Sequence, residues 1–559
     1  MKNLISILCL LLLPVYSILY AQWSNDPTVN TPVCIEDEMQ NYPAIINDGA
    51  GGVFISWEDS RDYTNTRTDI YAQHINSSGY VEWSTEGVEI CTASDFQHYP
   101  ITVSDYQDGV VIIWSDSRNQ GSIYAQRVNA SGEIMWATDG VEIGIGGSGI
   151  NIINDGVGGF ILTWSDTRNG NDDIFAQRFD TSGTIQWAAD GIPICTATDN
   201  QWYPGIVSDG NGGAIISWSD YRNGFNNNDI YVQRIDVNGN VLWMADGIAV
   251  CAATGRQYSA QIISDVANGA IVVWTDERTG VFQNDLYAQR VSSAGAMMWT
   301  TNGVSVCTES GSQWQHGIVS DNIGGVIIVW LDERSTDDIY AQRLDENGTP
   351  MWQNNGIGIC TANWIQEEVM ACSDGSGGAI IVWKDERDYN VDIYAQRINI
   401  SGMIQWQTDG IPVCTATGSQ TSPKIIGLNT DGVIIIWTDT RNGFSNDDIY
   451  GQYVTSEGTL SSVEEYCSGI IPAQFILSQN YPNPFNPSTI IKYSVPIVSQ
   501  VTIKVYDIIG NEIETLVDKE KAAGTYQLTW YAEQLPAGVY FYKLQAGNFV
   551  ETKKMVLLK

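Results

Sequence analysis

Eight copies of a Trp-x-Asp-x-Arg motif place a carboxylate and a guanidinium two residues apart, a pairing that active sites and structural ion pairs both use. The eight tryptophans are Trp57, Trp114, Trp164, Trp218, Trp274, Trp330, Trp383 and Trp437, and successive copies lie 50 to 57 residues apart. Catalysis usually needs one asymmetric group of residues, so a motif repeated eight times favours a structural role. We expect the Asp and Arg to pair with each other, with a neighbouring unit or with loop amides.

The loops that follow the arginines are the candidates for binding a metal. They are rich in Asp and Asn, whose oxygens are the ligands that Ca²⁺ prefers. The calcium candidates are Asp172, Asp173, Asp229, Asp447 and Asp448. Their spacing does not match an EF-hand, and loops of this composition are commonly simple turns. We therefore expect no cofactor, with calcium as the one alternative.

The segments around each motif predict four short strands. In the fourth copy these are a strand at Ile206-Val207, a strand that ends at Trp218, the segment 229–236 and a strand around Trp243. The Gly-rich turn at 209–213 supplies the positive φ angles that a hairpin needs. Four antiparallel strands in a repeat of this length are typical of one blade of a β-propeller.

The two ends of the repeat array complement each other. The eighth copy lacks the Trp…Cys segment that ends the other copies, and Trp23 and Cys34 supply a similar pair near the N-terminus. An N-terminal strand in the last blade would leave no open sheet edge in the array. We therefore predict an all-β fold in which residues 22–461 form an eight-bladed propeller closed by this strand.

The cysteines recur with the repeat. Each of six cysteines stands eight residues after a Trp, namely Cys91, Cys195, Cys251, Cys307, Cys360 and Cys414, and Gly144 takes this place in one copy. Equivalent positions on neighbouring blades lie too far apart for disulfides, so we expect buried thiols that act as small apolar side chains. A local Cys360–Cys372 bridge is the alternative. Zinc is disfavoured because neither a CxxC motif nor clustered histidines accompany the cysteines.

Charge and the N-terminal segment indicate an exported protein. The 559 residues carry a net charge of −38, which should repel nucleic acids and anionic lipid headgroups. The apolar run from Leu4 to Tyr20 predicts a signal peptide over residues 1–21, with an uncleaved membrane anchor as the alternative. No other segment is long and apolar enough to predict a membrane span.

The last part of the chain differs from the repeats in sequence pattern. Residues 462–474 predict a linker, and alternating apolar residues with Gly and Pro turns predict a small Ig-like β-sandwich over 475–559. The motifs in this tail include Asn483-Pro484-Phe485, Gly538-Val539-Tyr540 and Lys553-Lys554-Met555. One interpretation of this tail is an ordinary accessory Ig-like module.

With these motifs in this order, the tail closely resembles the type IX secretion system C-terminal sorting domain. The resemblance implies a protein that the type IX machinery carries across the outer membrane and that is secreted or displayed on the cell surface. It also implies that Gly538, Tyr540, Lys553, Lys554 and Met555 belong to the sorting signal. The tail predicts the route by which the protein is exported, and it gives no information on what the propeller binds.

The sequence contains no recognisable catalytic constellation. The three histidines, His74, His98 and His316, occupy non-equivalent places, and HExxH and GxSxG motifs are absent. We therefore expect no enzyme, but a secreted propeller that binds a glycan or a protein. One alternative is an extracellular hydrolase or lyase acting on glycans at the central funnel, and another is a structural adhesin module. Acidic, Arg or Tyr residues that break the repeat pattern in the funnel would favour the enzyme.

Overall fold

The computed structural model describes most of the chain, which divides into two compact units between Ser461 and Ser462. The described residues are 23–118, 121–280, 283–428, 432–443, 446–460, 465–467, 474–480, 483–485, 488–521, 524–532, 535–547 and 549–558. The segment predicted as a signal peptide lies outside these residues and stays a prediction. Among the described residues, no helix has the length and apolar character needed to cross a membrane.

The described residues of the first unit form eight four-stranded antiparallel sheets, here numbered 1 to 8 along the chain. The inner strands are Gln40–Asn47, Gln97–Ser104, Ser148–Asn154, Gln201–Ser208, Gln257–Ser264, Gln313–Ser320, Gln366–Ser373 and Gln420–Gly427. The second strands are Val53–Asp59, Val110–Asp116, Gly159–Asp166, Ala214–Asp220, Ala270–Asp276, Val326–Asp332, Ala379–Asp385 and Gly432–Asp439. The third strands are Asp69–Ile75, Ser122–Val128, Asp173–Asp180, Asp229–Ile235, Asp285–Val291, Asp338–Leu344, Asp392–Ile398 and Asp448–Thr455. The outer strands of sheets 1 to 7 are Val88–Cys91, Val141–Ile145, Ile192–Cys195, Ile248–Cys251, Val304–Cys307, Ile357–Cys360 and Ile411–Cys414.

The sheets are arranged in a ring. Each inner strand contacts the inner strand of the next sheet, and the inner strand of sheet 8 contacts that of sheet 1. Apolar clusters lie between neighbouring sheets, and the tryptophan of every Trp-x-Asp-x-Arg copy is fully buried. The predicted all-β class and propeller-like repeat array are confirmed.

The N-terminal segment completes sheet 8. Strand Thr31–Cys34 pairs with the third strand of that sheet, with Thr31 opposite Gly451. The indole Nε1 of Trp23 donates to the carbonyl of Ser77 in sheet 1 at 3.1 Å. Between other sheets Trp83 makes the same bond to Ala130 at 2.9 Å, so Trp23 occupies an equivalent place. The N-terminus therefore supplies both the outer strand of sheet 8 and its contact with sheet 1.

The repeated motif joins neighbouring sheets, as sheet 4 illustrates. The indole of Trp218 donates to Oδ2 of Asp220 at 2.7 Å, and the Arg222 guanidinium donates to both oxygens of that carboxylate at 2.6 and 2.7 Å. The same guanidinium lies 4.0 Å from the ring centroid of Tyr231, within cation–π distance. Its Nη2 also donates to Sγ of Cys195 in sheet 3 at 3.2 Å. The motif is a bidentate ion pair that also binds the preceding sheet.

The cysteines of the outer strands are buried, as predicted. Desolvation raises the pKa of Cys195 to about 12, so the thiol stays neutral beside the arginine. Cys360 and Cys372 are both free, so the Cys360–Cys372 bridge considered from the sequence is absent. The reason is positional, because Cys360 faces Arg387 of sheet 7 while Cys372 lies on an inner strand.

The second unit has two antiparallel sheets. The first contains Glu465–Cys467, Gly524–Tyr531, Ser488–Val495 and Ile476–Leu477, and the second contains Glu512–Lys521, Ser499–Tyr506, Gly538–Ala546 and Phe549–Leu557. Side chains of both sheets, such as Tyr493 and Tyr542, form one apolar core, which is the arrangement of a β-sandwich. Strand Glu465–Cys467 lies within the segment predicted as a linker, and it pairs with the first sheet opposite residues 525–527. Backbone pairing therefore makes this part of the segment a member of the tail sheet.

Candidate functional site

One end of the propeller carries nearly all of its exposed aromatic residues. This end contains the start of each inner and third strand and the finish of each second and outer strand, because the four strands are antiparallel. The exposed aromatic side chains at this end are Tyr42, Tyr63, Tyr99, Tyr203, Phe225, Trp314, Trp364 and Tyr389. Among the described residues of the first unit, Tyr106 is the one exposed aromatic residue at the opposite end. We call this end the aromatic face.

A backbone bulge near the start of each inner strand presents one residue of every sheet at the centre of this face. The pairing register shifts there, for example between Trp202 and Gly205, and the bulge residue Tyr203 has φ 55°. The eight bulge residues in ring order are Tyr42, Tyr99, Gly149, Tyr203, Ser259, Gln315, Glu368 and Ser422, and all have positive φ. Side chains other than Gly, Asn and Asp seldom adopt this conformation, so the propeller holds seven of them under strain. The backbone repeats, whereas the side chains differ from sheet to sheet.

An axial cavity of about 400 Å³ opens beside these bulge residues. The inner strands of sheets 1, 2, 7 and 8 line it through Tyr42, Pro43, Ala44, Ile45, Tyr99, Pro100, Ile101, Thr102, Met370, Ser422, Lys424 and Ile425. The rings of Tyr42 and Tyr99 meet edge to face, with centroids 5.1 Å apart. The cavity is therefore mostly apolar and aromatic, with a few polar groups, as small-molecule sites usually are.

A buried carboxylate positions one side of the cavity. Glu58 takes the place that Ser, Thr, Leu or Lys has in the other motif copies, and the residue is 4% exposed. Its Oε1 accepts the backbone N–H of Tyr99 at 2.6 Å, and its Oε2 lies 3.0 Å from Nδ1 of His98. A carboxylate at Nδ1 favours the tautomer in which Nε2 is the free acceptor, the arrangement that general bases use.

Lys424 lines the other side of the cavity, and the carboxylate of Glu368 lies near it. Oε2 of Glu368 accepts the backbone N–H of Ser422 at 2.5 Å. Lys424 lines the cavity, and burial lowers the pKa of its amine while the nearby Glu368 carboxylate raises it. At the equivalent position the other sheets have Ala44, Ile101, Asn151, Gly205, Gln261, Gly317 and Met370. Lys424 is therefore a charged residue that breaks the repeat at the axial cavity.

Aromatic platforms lie further out on the same face. Trp364 and Tyr389 are 50% and 84% exposed, and their ring centroids are 4.9 Å apart. Trp364 also borders a cleft that contains Asp337, whose pKa is raised by burial and by nearby carboxylates. On sheet 4, the ring of Tyr221 lies 5.7 Å from that of the exposed Phe225. Such platforms offer flat apolar surfaces at several distances from the axis.

The calcium candidates lie on sheets 3, 4 and 8 and accept hydrogen bonds from the protein. Asp173, Asp229 and Asp448 begin third strands and are buried, and a loop Asn side chain donates to each of them. Asp172 accepts the Trp202 indole at 2.6 Å, and a side-chain bond from Asn41 reaches Asp447. In the part of the chain that the structure describes, no three His, Cys, Asp or Glu side chains are grouped to hold a metal. Calcium binding stays a prediction, which Ca²⁺ titration of the wild type and an Asp229→Asn variant tests by melting temperature.

The residues predicted to belong to the sorting signal lie on the last two strands of the tail. Gly538 is paired with Leu557, and Tyr540 is paired with Met555, whose side chain is fully buried. The hydroxyl of Tyr540 donates to the carbonyl of Pro536 at 2.8 Å. Lys553 pairs with Glu551 at 2.8 Å, and Lys554 is exposed. The hairpin therefore combines packed residues with a cationic edge.

Sequence reasoning missed the residues of the axial cavity. The signal was present as Gln-x-Tyr-Pro at 40–43, 97–100 and 201–204, where each inner strand begins. Glu58 and Lys424 were not singled out, because the sequence around each of them looks like an ordinary repeat copy, and His98 was noted as a histidine in a non-equivalent place without a functional role. Departures from the repeat at aligned positions would have indicated them.

Comparison with known proteins identifies the tail. Residues 479–558 match the family model described as "Secretion system C-terminal sorting domain", so the predicted resemblance is confirmed. The protein is therefore secreted to the cell surface or the extracellular space and handled by the type IX secretion machinery. No curated protein matches this chain.

Solved structures resemble the repeat array. A PL25 polysaccharide lyase, an ulvan lyase, aligns over 76% of this chain and 95% of its own, with 11% identity and TM-score 0.40. The α-L-arabinanase of Penicillium chrysogenum aligns over 65% of this chain and 94% of its own, with 11% identity and TM-score 0.35. The exo-β-1,3-galactanase of Phanerochaete chrysosporium aligns over 76% of this chain and 98% of its own, with 13% identity and TM-score 0.29. At these identities the likeness concerns the fold alone.

The comparison corrects one expectation. The sequence led us to expect a protein that is not an enzyme, and the comparison contradicts this expectation, because glycan lyases and hydrolases have a similar fold, so the fold is compatible with an enzyme. The expectation rested on the absence of catalytic motifs within one segment of sequence. In a ring of sheets, the groups at the axis come from copies that lie far apart along the chain.

Proposed function

We propose that the protein is a secreted carbohydrate-binding propeller that holds a polysaccharide on the aromatic face, with one sugar at the axial cavity. The observation that carries this proposal is the location of the exposed aromatic residues, since eight of the nine among the described residues of the first unit lie at one end. Aromatic rings stack on the apolar faces of sugar rings, and they contribute much contact area for little conformational entropy. A protein this acidic disfavours nucleic acids, the other polymers that stack on aromatic rings.

The binding proposal is tested by a glycan array probed with the full-length mature protein. A Tyr99→Ala variant should lose at least tenfold in affinity for any glycan that the wild type binds, because Tyr99 lines the axial cavity. Tyr106→Ala is the matched control, since this exposed tyrosine lies at the opposite end, and it should bind as the wild type does. Absence of binding to all glycans, or equal loss in both variants, would refute the proposal.

A second candidate function is proton-transfer catalysis on the bound glycan, by hydrolysis or elimination. It is favoured by the Glu58–His98 pair, which stands next to Tyr99 and has no counterpart in the other sheets. His98 would act as the base and Glu58 as the positioning residue. Reducing ends and unsaturated products, assayed on glycans that the array identifies, should appear with the wild type and disappear with His98→Ala. A Glu58→Gln variant should keep binding and shift the pH profile of the rate, whereas activity unaffected by either change would exclude this role.

A further inference from the structure

The amine of Lys424 forms no hydrogen bond or ion pair with the described residues that line the axial cavity. The described residues that line the cavity with it are apolar, aromatic or hydroxyl-bearing. Among the described residues, no hydrogen-bond acceptor or ion-pair carboxylate is found for its amine. Lys384, on sheet 7, shows the contrast, since its Nζ lies 2.8 Å from Oε2 of Glu367. A half-buried ammonium without a partner lowers the stability of the fold. The presence of a lysine at this position therefore needs an explanation other than stability.

Glu368 does not provide that partner. Its Oε2 accepts the backbone N–H of Ser422, which directs this oxygen to the bulge of sheet 8. The backbone N–H of Glu368 is in turn bonded to the side-chain carbonyl of Gln315 at 3.3 Å. Burial, the larger effect, lowers the pKa of the Lys424 amine, and Glu368 acts on it through space and raises the pKa, while Lys424 itself lines the cavity.

We propose that Lys424 binds one anionic substituent of the glycan, the carboxylate of a uronic acid or a sulfate ester, at the axial cavity. This inference rests on the proposed function and names its substrate class. An ammonium and an anionic group that meet in a cavity with mostly apolar walls attract each other more strongly than they would in bulk solvent. The negative surface opposes a densely charged polymer beyond the cavity, but its field is screened over about 10 Å at 0.1 M salt. The site is therefore suited to a glycan with isolated anionic sugars.

The experiment is a glycan array that contains neutral, uronate-bearing and sulfated oligosaccharides of matched length. Full-length wild type, Lys424→Met, Lys424→Arg and Glu368→Gln proteins are compared. We expect the wild type to bind acidic oligosaccharides and Lys424→Met to lose at least tenfold in affinity for them. Lys424→Arg should retain binding because it retains the charge. Glu368→Gln should bind acidic glycans more tightly, because it removes a negative charge and keeps an oxygen that accepts from Ser422.

The outcomes separate this inference from the proposed function. Binding of neutral glycans alone, or acidic binding that Lys424→Met leaves intact, would overturn the role of Lys424 and leave carbohydrate binding standing. Binding of no glycan at all would refute the proposed function and this inference with it. The uronate and sulfate arms decide which anionic group is bound. Melting temperature is a second measurement, since Lys424→Met should melt at or above the wild type, and a clear fall would show that Lys424 has a structural partner.

Discussion

Replacement of Trp23 by Ala tests whether the N-terminal segment closes the ring. Trp23 is 1% exposed, and a Cβ on Gly79 of sheet 1 would lie 2.9 Å from its indole Cγ, so the two residues are in tight contact. Loss of a buried Trp side chain costs about 3 to 5 kcal/mol in the free energy of unfolding. At about 2 °C per kcal/mol, the value for larger domains, the melting temperature should fall by roughly 6 to 10 °C.

The matched control is Trp83→Ala, which removes the same indole-to-carbonyl bond between sheets 1 and 2. Both variants are measured by differential scanning calorimetry, and hydrogen exchange of sheets 8 and 1 shows where the protection is lost. Because arrays of this kind can unfold in parts, the comparison uses the two variants under one protocol rather than an absolute free energy. A fall of 6 °C or more for Trp83→Ala with less than 2 °C for Trp23→Ala would refute the closure.

The repeat predicts the effect of two glycine substitutions on stability, and its buried acidic residues predict how stability depends on pH. Gly144→Ala should raise the free energy of unfolding by about 0.5 to 1 kcal/mol in chemical denaturation, since its Cβ would make ordinary contacts at 3.4 Å with Ile123 and Trp164. Gly87→Ala should lower the free energy of unfolding, because Gly87 has φ +94° and a Cβ there would lie 2.7 Å from the Trp57 ring. Equal effects of the two changes would contradict this reasoning. Stability should fall as pH rises from about 4 to 7, because burial raises the pKa of Asp448 to about 7 in the folded state from about 3.9 when unfolded, so the folded state binds more protons. The melting temperature of the wild type should fall with pH over this range, and that of Asp448→Asn should fall less steeply. A wild type whose melting temperature rises over the same range would contradict the predicted direction.

The architecture could be predicted because the sequence repeats what holds it together. In each copy the Trp, Asp and Arg make local bonds two residues apart, so their spacing alone indicates the motif, and the Trp23 and Cys34 fragment indicates the missing strand. The sorting tail was recognisable for the same reason, since its motifs lie in one short segment. Contact with a neighbouring unit was among the expectations, but its partner was not predictable, because the thiol of Cys195 that Arg222 contacts lies 27 residues before it.

The axial cavity was harder to predict for two physical reasons. The bulge shifts the register of each inner strand, so simple alternation of side chains does not tell which residues face the axis. The residues that meet at the axis also come from opposite ends of the repeat array, as Tyr42 and Lys424 do. The one local signal in the sequence was a Tyr followed by Pro near the start of an inner strand, where the structure has positive φ at the Tyr. The position of this Tyr at the axis becomes clear only from the ring of sheets.

A comparison of the two ends of the propeller supports placing the function on the aromatic face. At the opposite end the polar groups are used to hold sheets together, as in sheet 4, where Asp209 accepts Arg234 at 2.8 Å and Arg234 donates to Ser293 of sheet 5. The equivalent ion pairs recur in sheets 2, 3, 5, 6 and 7. At the aromatic face the backbone repeats just as regularly, but the side chains of the bulge residues differ and include a carboxylate, three tyrosines and two hydroxyls. Stability alone would favour one residue at all eight strained positions, so this variety supports the proposal that the aromatic face binds a ligand without eightfold symmetry.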